Sequence, residues 1–489
     1  MTDRHVAKRA AAHRDQPSER RLAGPLLATA LASSFLLSVV VAWAVGVLPR
    51  PKLALAAGLT AIVLTAVAVG LCRTNPREHK GRFASLAVVA AIGLIVSMGL
   101  TKVNLDVGHG IDSMRIADYP TTSYVVVVES SHSDQLKSLE GEVVGNFPTD
   151  PNKDLVAAHL AELVTIIMAP ISDMSTIGQD IAAGHFSAAV LKADQWSLLV
   201  ENQPDQTASL KVIYQFDISA PLEDKLANPD AKKPGEGFIV YISGIDTTGP
   251  LTTVSRSDVN ILMVVNPTTH QVLLVNTPRD YYVQLHGTTG TKDKLTHAGI
   301  YGIEMSINTL QDLYGVDIHF YARLNFSSMI KLVDAVGPIT VISEGSFSAG
   351  PYYFYEGPNE LNGEQALAFS RERYSFASGD RQRGMNQQLV IEALINQLTQ
   401  RSNLLRYQEI MSALEGTIGM NIPTGQIRSL VDAQLNSMKP WSVERISVDG
   451  TAGSEPTYSM GSVRSWVMIP DQATVEAAKD RIAQVMDEG

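Results

Sequence analysis

LNGEQALAFSRERYSFASGDRQRGMNQQ, residues 361–388, sets Arg371, Arg373, Arg381 and Arg383 among the acids Glu364, Glu372 and Asp380. LVIEALINQL follows and reads as a helix beginning at Asp380. At about 100° per residue, Arg383 and Gln387 fall on the face of Asp380. Ile391, Leu394, Ile395 and Leu398 continue that stripe as its apolar part. The charged first turns therefore point where the later turns bury carbon, and an inward charge is costly without a partner. Two readings fit. One is a structural ion-pair network of Arg371 and Arg373 with Glu364 and Asp380. The other is an anion site, since arginine forks suit phosphate oxygens and a helix start adds backbone N–H groups and a favourable dipole.

The chain has 489 residues, enough for two or three domains, and its apolar residues are unevenly spread. No charge occurs between Arg21 and Arg50, from Leu53 to Cys72, or from Phe83 to Thr101. Each stretch is long enough to cross about 30 Å of hydrocarbon, so three transmembrane helices are expected within 22–102. Three such segments in succession argue against a cleaved signal peptide. Basic residues crowd the first 21 positions and the 73–82 loop. The positive-inside rule then makes residues 1–21 cytoplasmic and everything beyond about 102 extracellular, at a multi-pass cell membrane. Residues 1–102 hold 13 Lys+Arg against 4 Asp+Glu, leaving 26 against 46 for 103–489. An acidic exterior argues against nucleic acid as a partner. Cys72 is the single cysteine, so no disulfide is expected outside.

Residues 103–219 read as an extracellular accessory domain of small α/β type. TSYVVVVES is a buried strand, EVVGNF a short one, and a helix-like stretch runs from Asp134 between them. LVAAHLAELVTIIM (155–168) has helical spacing. HFSAAVLKA, DQWSLLVEN and SLKVIYQFDI read as strand, helix and strand. Nothing in it resembles a reactive constellation. SAPLEDKLANPDAKKPGEG, within 219–237, reads as a linker, with its Pro, Gly and charge.

From Phe238 to Gly489 the expectation is a larger α/β domain whose mixed central sheet is flanked by helices. SDVNILMVVN, NPTT and HQVLLVN form a strand, a turn and a strand, hence a hairpin. Thr277-Pro278 forces an extended exit and leaves Arg279 and Asp280 at the strand end. GIEMSINTLQDLYG, SSMIKLVDAVG and ATVEAAKDRIAQVM read as helices; IHFYARLN, PITVIS and VERISV read as strands. Helical stretches are also expected at about 403–417 and 424–437.

The charged motifs of this domain sit at strand ends or helix starts. SGIDTTG holds Asp246, SRSD holds Arg256 and Asp258, TPRD holds Arg279, and KDKLTHA holds Lys294 and His297. Two aspartates among arginines suit a pyrophosphate with Mg²⁺, which takes one or two carboxylates plus phosphate oxygens and water. Asp246 and Asp258 are the metal-ligand candidates. Turn capping also explains Asp246, an ion pair also explains Asp258, and His297 reads as a helix-start or surface residue.

In order and spacing, SGID, SRSD, TPRD, KLTHA, LVDAVG, LNGEQALAFSRER and GDRQRGMNQQ resemble the LytR-CpsA-Psr family over about 240–400. The layout resembles its capsule-associated CpsA branch. Small departures, Gly337-Pro338 and Asn276-Thr277, touch no charged position. The resemblance implies a membrane-anchored, Mg²⁺- or Mn²⁺-dependent phosphotransferase. Such an enzyme moves a glycopolymer from an undecaprenyl-pyrophosphate carrier to peptidoglycan; the domain layout favours capsular polysaccharide, with wall teichoic acid or another polysaccharide left open. It implies that Arg256, Arg279, Arg371, Arg373 and Arg383 grip the pyrophosphate, that Asp380 orients them, that Gln387 and Lys294 assist, and that Asp246 and Asp258 hold the metal. The polyprenyl chain would lie between sheet and helices, with Ile261, Met263, Met329 and Leu332 as candidate walls that also read as core. A non-catalytic carrier-binding regulator is the alternative. A transcriptional role is excluded on the expected topology, which leaves too little chain inside the cell for a DNA-reading fold.

Overall fold

The computed structural model describes residues 28–40, 50–74, 79–112, 120–220, 235–245 and 251–487. The chain divides into two compact units, Met1–Gly110 and Ile111–Gly489.

The first unit holds a helical stretch over 28–40 and the helices Arg50–Arg73 and Lys80–Asp112. Leu31, Val67, Leu71 and Ala90 pack together, and Ser97 hydrogen-bonds Ser34 and Ser38 across the helix contact. Among the described residues, no helix is long and apolar enough to cross a membrane. This corrects the expectation of three transmembrane helices in 22–102. The described helices also take in charged residues that the uncharged stretches leave out, Arg50 and Lys52 in one and Lys80, Arg82, Lys102 and Asp106 in the other.

The second unit begins with a five-stranded sheet in the order β3-β2-β4-β1-β5. Its strands are β1 (Thr121–Glu129), β2 (Val143–Asn146), β3 (Ile167–Pro170), β4 (Ala188–Lys192) and β5 (Leu210–Ser219). The valine run lies in β1, hydrogen-bonded on both sides. Alternate residues serve opposite cores, Val125 and Val127 one, Val126 and Val128 the other. That is why the run shows no polar alternation. The first of these cores also contains Ile300 and Met460, so the larger domain closes one face of the accessory sheet. Residues 155–168 are not one helix. The helix Lys153–Ala161 stops early and Ile167–Pro170 joins the sheet, because the β-branched run Val164–Ile167 suits a pleated surface. From Asp134 the chain forms only a 3₁₀ turn, Leu136–Leu139. The expected linker falls largely at 221–234, outside the described residues.

The larger domain is built on a six-stranded mixed sheet. At its centre are β6 (Phe238–Ile245), β7 (Ser257–Asn266) and β8 (Gln271–Asn276). β6 and β7 are antiparallel, as are β7 and β8. Strand Phe320–Leu324 is parallel to β6 and Ser442–Ser447 is parallel to β8. One face buries Leu262, Val264, Leu273 and Val275 under the helices Ile303–Tyr314 and Gln472–Asp487, which bring Leu310, Tyr314, Val475 and Ile482. The other face, with Val240, Ile261 and Leu274, lies toward the long helix Asp380–Leu398. The two helical stretches expected near 403–437 are Arg401–Leu405 with Tyr407–Ala413, and Thr424–Ser437.

Candidate functional site

The hairpin register brings the first two charged residues together. Ile261 pairs with Asn276 and Thr277 N donates to Asn260 O at 2.9 Å. Continued outward, the same register sets Asp258 opposite Arg279. Arg279 Nη1 donates to Asp258 Oδ2 at 2.9 Å, and Arg279 Nε lies 3.4 Å from Asp280 Oδ2. Thr296 Oγ1 donates to Asp258 Oδ1 at 3.1 Å. Lys294 Nζ sits 3.1 Å from Asp280 Oδ1, behind Arg279.

The long helix delivers the third charge. Gly379, with φ of 54°, turns the chain into it. Gly384 lets it approach β8, since a Cβ there would lie 2.4 Å from Asn276 Nδ2. Buried Gln388 donates to Leu274 O and Ile446 O, at 2.9 and 2.7 Å, and so pins the helix across two strands. Arg383 Nη2 then lies 2.5 Å from Asp380 Oδ1. Arg381 projects elsewhere and pairs with Asp449. Helix Gly363–Arg371 ends at the fourth arginine, whose guanidinium stacks on Phe326 at 3.9 Å. Arg373 Nη2 donates to Tyr374 Oη at 2.7 Å.

These groups act on one another electrostatically. Burial would raise the Asp258 carboxyl, but Arg279, Arg383 and Arg256 outweigh it and hold it below the usual carboxylate range. Arg279 is pushed further up despite burial, by Asp258, Asp280 and Asp380. Asp380 is raised by burial, against the pull of Arg383 and Arg279. Burial, with Arg279 nearby, lowers Arg383 although Asp380 supports its charge. Arg279 Nε and Asp380 Oδ1 are buried without a hydrogen bond of good geometry, a costly arrangement that a polar ligand or water would relieve.

Arg279, Arg371, Arg373, Arg383, Asp258 and Gln387 all line one cavity of about 800 Å³. Its walls are otherwise mostly aliphatic. Ile391, Leu394, Ile395 and Leu398 of the long helix contribute, as do Met263, Met329 and Leu332. The apolar stripe of the helix therefore lines a cavity as well as a core. Ile261 is fully buried in the core beside it.

Some expected site residues are placed differently. Arg256 is turned to the accessory domain, its Nη1 3.1 Å from Glu201 Oε2. Lys294 braces Asp280 and does not line the cavity. His297 is buried, its Nδ1 2.6 Å from Asp293 Oδ1 and 2.7 Å from Ser459 Oγ; both partners meet one ring nitrogen. Its place in the short helix Leu295–Ala298 fits the helix-start reading, and its burial corrects the surface one. Asp246 lies outside the described residues. Of the ion-pair network considered for this stretch, Asp380 pairs with Arg383, while Glu364 accepts from Tyr352 Oη at 2.8 Å. Sequence reasoning noted Asp280 only as a strand-end residue and gave no role to Thr296, inside KLTHA, or to Tyr374.

Among the described residues, no three His, Cys, Asp or Glu side chains gather as a metal cage. The donors present fit a cation held by few protein ligands. Asp258 is ionised, lines the cavity, and each of its oxygens retains a lone pair beyond its present partner. That suits Mg²⁺ or Mn²⁺ completed by substrate oxygens and water.

An α/β domain with an aliphatic cavity and arginines along its lining offers apolar and cationic contacts in one space. The LytR_cpsA_psr family model matches residues 202–483, and the chain belongs to that family. Two relatives named polyisoprenyl-teichoic acid–peptidoglycan teichoic acid transferase TagU are similar to it. The Enterococcus faecalis protein is 34% identical over 40% of this chain and 65% of its own length. The Bacillus subtilis protein is 32% identical over 41% of this chain and 63% of its own length. The matched part thus spans less than two thirds of either relative. Among solved structures, B. subtilis TagV is 25% identical over 53% of this chain and all of its own, with a TM-score of 0.45. TagT bound to LI-WTA is 23% identical over 54% of this chain and 95% of its own, with a TM-score of 0.42.

Proposed function

We propose that this domain transfers a glycopolymer from an undecaprenyl-pyrophosphate carrier to peptidoglycan through a phosphodiester link. One observation carries the reading: the aliphatic cavity and the four arginines belong to a single space. A polyprenyl pyrophosphate has the same two-part chemistry, a hydrocarbon chain and a multiply charged head. The names of the TagU relatives, which specify lipid-linked teichoic acid and peptidoglycan, support the reaction class. Capsular polysaccharide is the polymer we favour, on the accessory domain alone. The site of action we favour is the outer face of the cell membrane, where carrier and wall meet.

In this scheme the chain enters the cavity past Met263, Met329 and Leu394. Arg279, Arg371, Arg373 and Arg383 hold the phosphate oxygens, and Gln387 adds a hydrogen bond. Asp380 keeps Arg383 directed inward. Asp258, together with Asp246, would hold Mg²⁺ or Mn²⁺, which when bound supplies further neutralisation of phosphate charge. An acceptor sugar hydroxyl attacks the phosphorus that bears the glycan. A new P–O bond forms, the bond to the bridging oxygen breaks, and polyprenyl phosphate leaves. The hydroxyl proton passes to a carboxylate of the site. Phosphoryl transfer of this kind depends on positioning and charge neutralisation more than on covalent catalysis.

The test is transfer of labelled glycan from a polyprenyl-pyrophosphate donor to peptidoglycan by the purified chain with Mg²⁺. Label in the wall and released polyprenyl phosphate are expected, both lost in Arg279→Ala and Arg371→Ala. Donor binding with no transfer by the unmutated chain would instead establish the carrier-binding regulator.

A further inference from the structure

Tyr374 lies on the cavity lining yet is 84% exposed. An exposed ring on the lining of a cavity leaves a π face open to a bound ligand. It is also held in place. Arg373 sits 4.8 Å from the ring centroid and its Nη2 donates to the phenol oxygen. The turn beneath is anchored twice: Ser375 N donates to Glu372 Oε1 at 2.8 Å, and Ser375 Oγ donates to Ser348 O at 3.1 Å. Phe376 packs on Phe347 at 4.8 Å. The strand pair that receives these anchors is Phe347–Ala349 with Tyr352–Phe354. It carries Tyr353, and Tyr355 follows directly; both are more than half exposed, with rings 4.8 Å apart.

We propose that Tyr374 is a stacking platform for a pyranose ring, the sugar joined to the carrier's pyrophosphate. The inference rests on the function proposed above. With the hydrocarbon chain inside and the phosphates on the arginines, the first sugar emerges at the rim. A pyranose presents a face of polarised C–H bonds, which suits the electron-rich face of a phenol ring. Arg373 is shared: it clamps the ring and lines the phosphate site, so it fixes the spacing between sugar and phosphate. The contacts with Arg373 restrict the ring and so reduce the side-chain entropy lost on binding.

The acceptor glycan is also made of pyranose rings, so the experiment must separate the two sources. The affinity of the full chain is measured for decaprenyl pyrophosphate and for the same lipid bearing one hexose. In Tyr374→Ala the sugar-bearing lipid is expected to bind about five- to tenfold more weakly, and the bare lipid within about twofold of the unmutated chain. Tyr374→Phe, which keeps the π face, should retain most of the affinity for the sugar-bearing lipid. Equal weakening for both lipids would overturn the proposal, since Tyr374 would then act only through Arg373. Unchanged binding of both would also overturn it. So would a transfer defect in Tyr374→Ala that excess peptidoglycan fragments repair, which would place the acceptor on the ring. Failure of the unmutated chain to bind either lipid would refute the parent reading itself.

Discussion

Arg371→Ala tests the proposed headgroup site while folding is followed on the same samples. Arg371 ends its helix on the exposed side and stacks on Phe326 at 3.9 Å. Losing that cation–π contact costs about 1 kcal/mol at an exposed position. The loss in binding is larger. A hydrogen bond to a charged group contributes about 1.5–3 kcal/mol, which corresponds to roughly a 10- to 150-fold rise in Kd. Titration of decaprenyl pyrophosphate into the purified chain, followed calorimetrically, reads that change; thermal unfolding on the same samples reads stability. Arg371→Lys keeps the charge without the fork and should fall between the two. Wild-type affinity in Arg371→Ala, with unfolding unchanged, would remove this arginine from the headgroup site. The same result in Arg383→Ala would remove that arginine too and leave Arg279 and Arg373 as the proposed headgroup contacts.

Arg279→Ala should behave differently, because Asp258 and Asp280 both face Arg279 in a poorly hydrated setting. Denaturant unfolding should show a loss of about 3–5 kcal/mol, partly recovered in the double variant with Asp258→Ala. The lowered Asp258 carboxyl has a pH signature. Its stabilisation is present above the unfolded value, near 3.8, and is lost as pH falls through the still lower folded value. Midpoints measured from pH 5 to 2 should therefore fall more steeply in the parent than in Asp258→Asn. Met329→Trp puts bulk into the cavity and should weaken decaprenyl pyrophosphate at least tenfold while leaving inorganic pyrophosphate nearly unaffected; equal loss for both would mean that the cavity does not hold the chain. Gly384→Ala drives a methyl into Asn276. It should cost about 1–3 kcal/mol in unfolding experiments and weaken lipid binding by shifting Arg383.

Much of the site could be read before any coordinates. The hairpin was legible with Asp258 near the start of one strand and Arg279 at the end of the other, and the observed register, Asn266 opposite Gln271, then sets the two across from each other. The 3.6-residue period put Arg383 and Gln387 on the stripe of Ile391, Leu394, Ile395 and Leu398, and all six line the cavity. Both inferences use geometry repeated over a few residues, which the chain fixes locally. Short apolar segments were harder. Residues 155–168 carry helical spacing and β-branched residues at once, and the sheet decided between them. The strand pair Gly450–Thr457 with Gly461–Pro470 has little apolar alternation and gave no signal.

Sequence by itself determined the sheet's central hairpin, the long helix and the inward charge on its first turns, because pleat and helix pitch are local properties of the backbone. Only the tertiary structure decided that Arg256 meets Glu201 of the accessory domain, that Lys294 braces Asp280, and that an aliphatic stripe borders empty space. Each of those outcomes depends on what a distant segment brings to the same place. No period within a strand or helix records where its neighbour stops short of filling the gap.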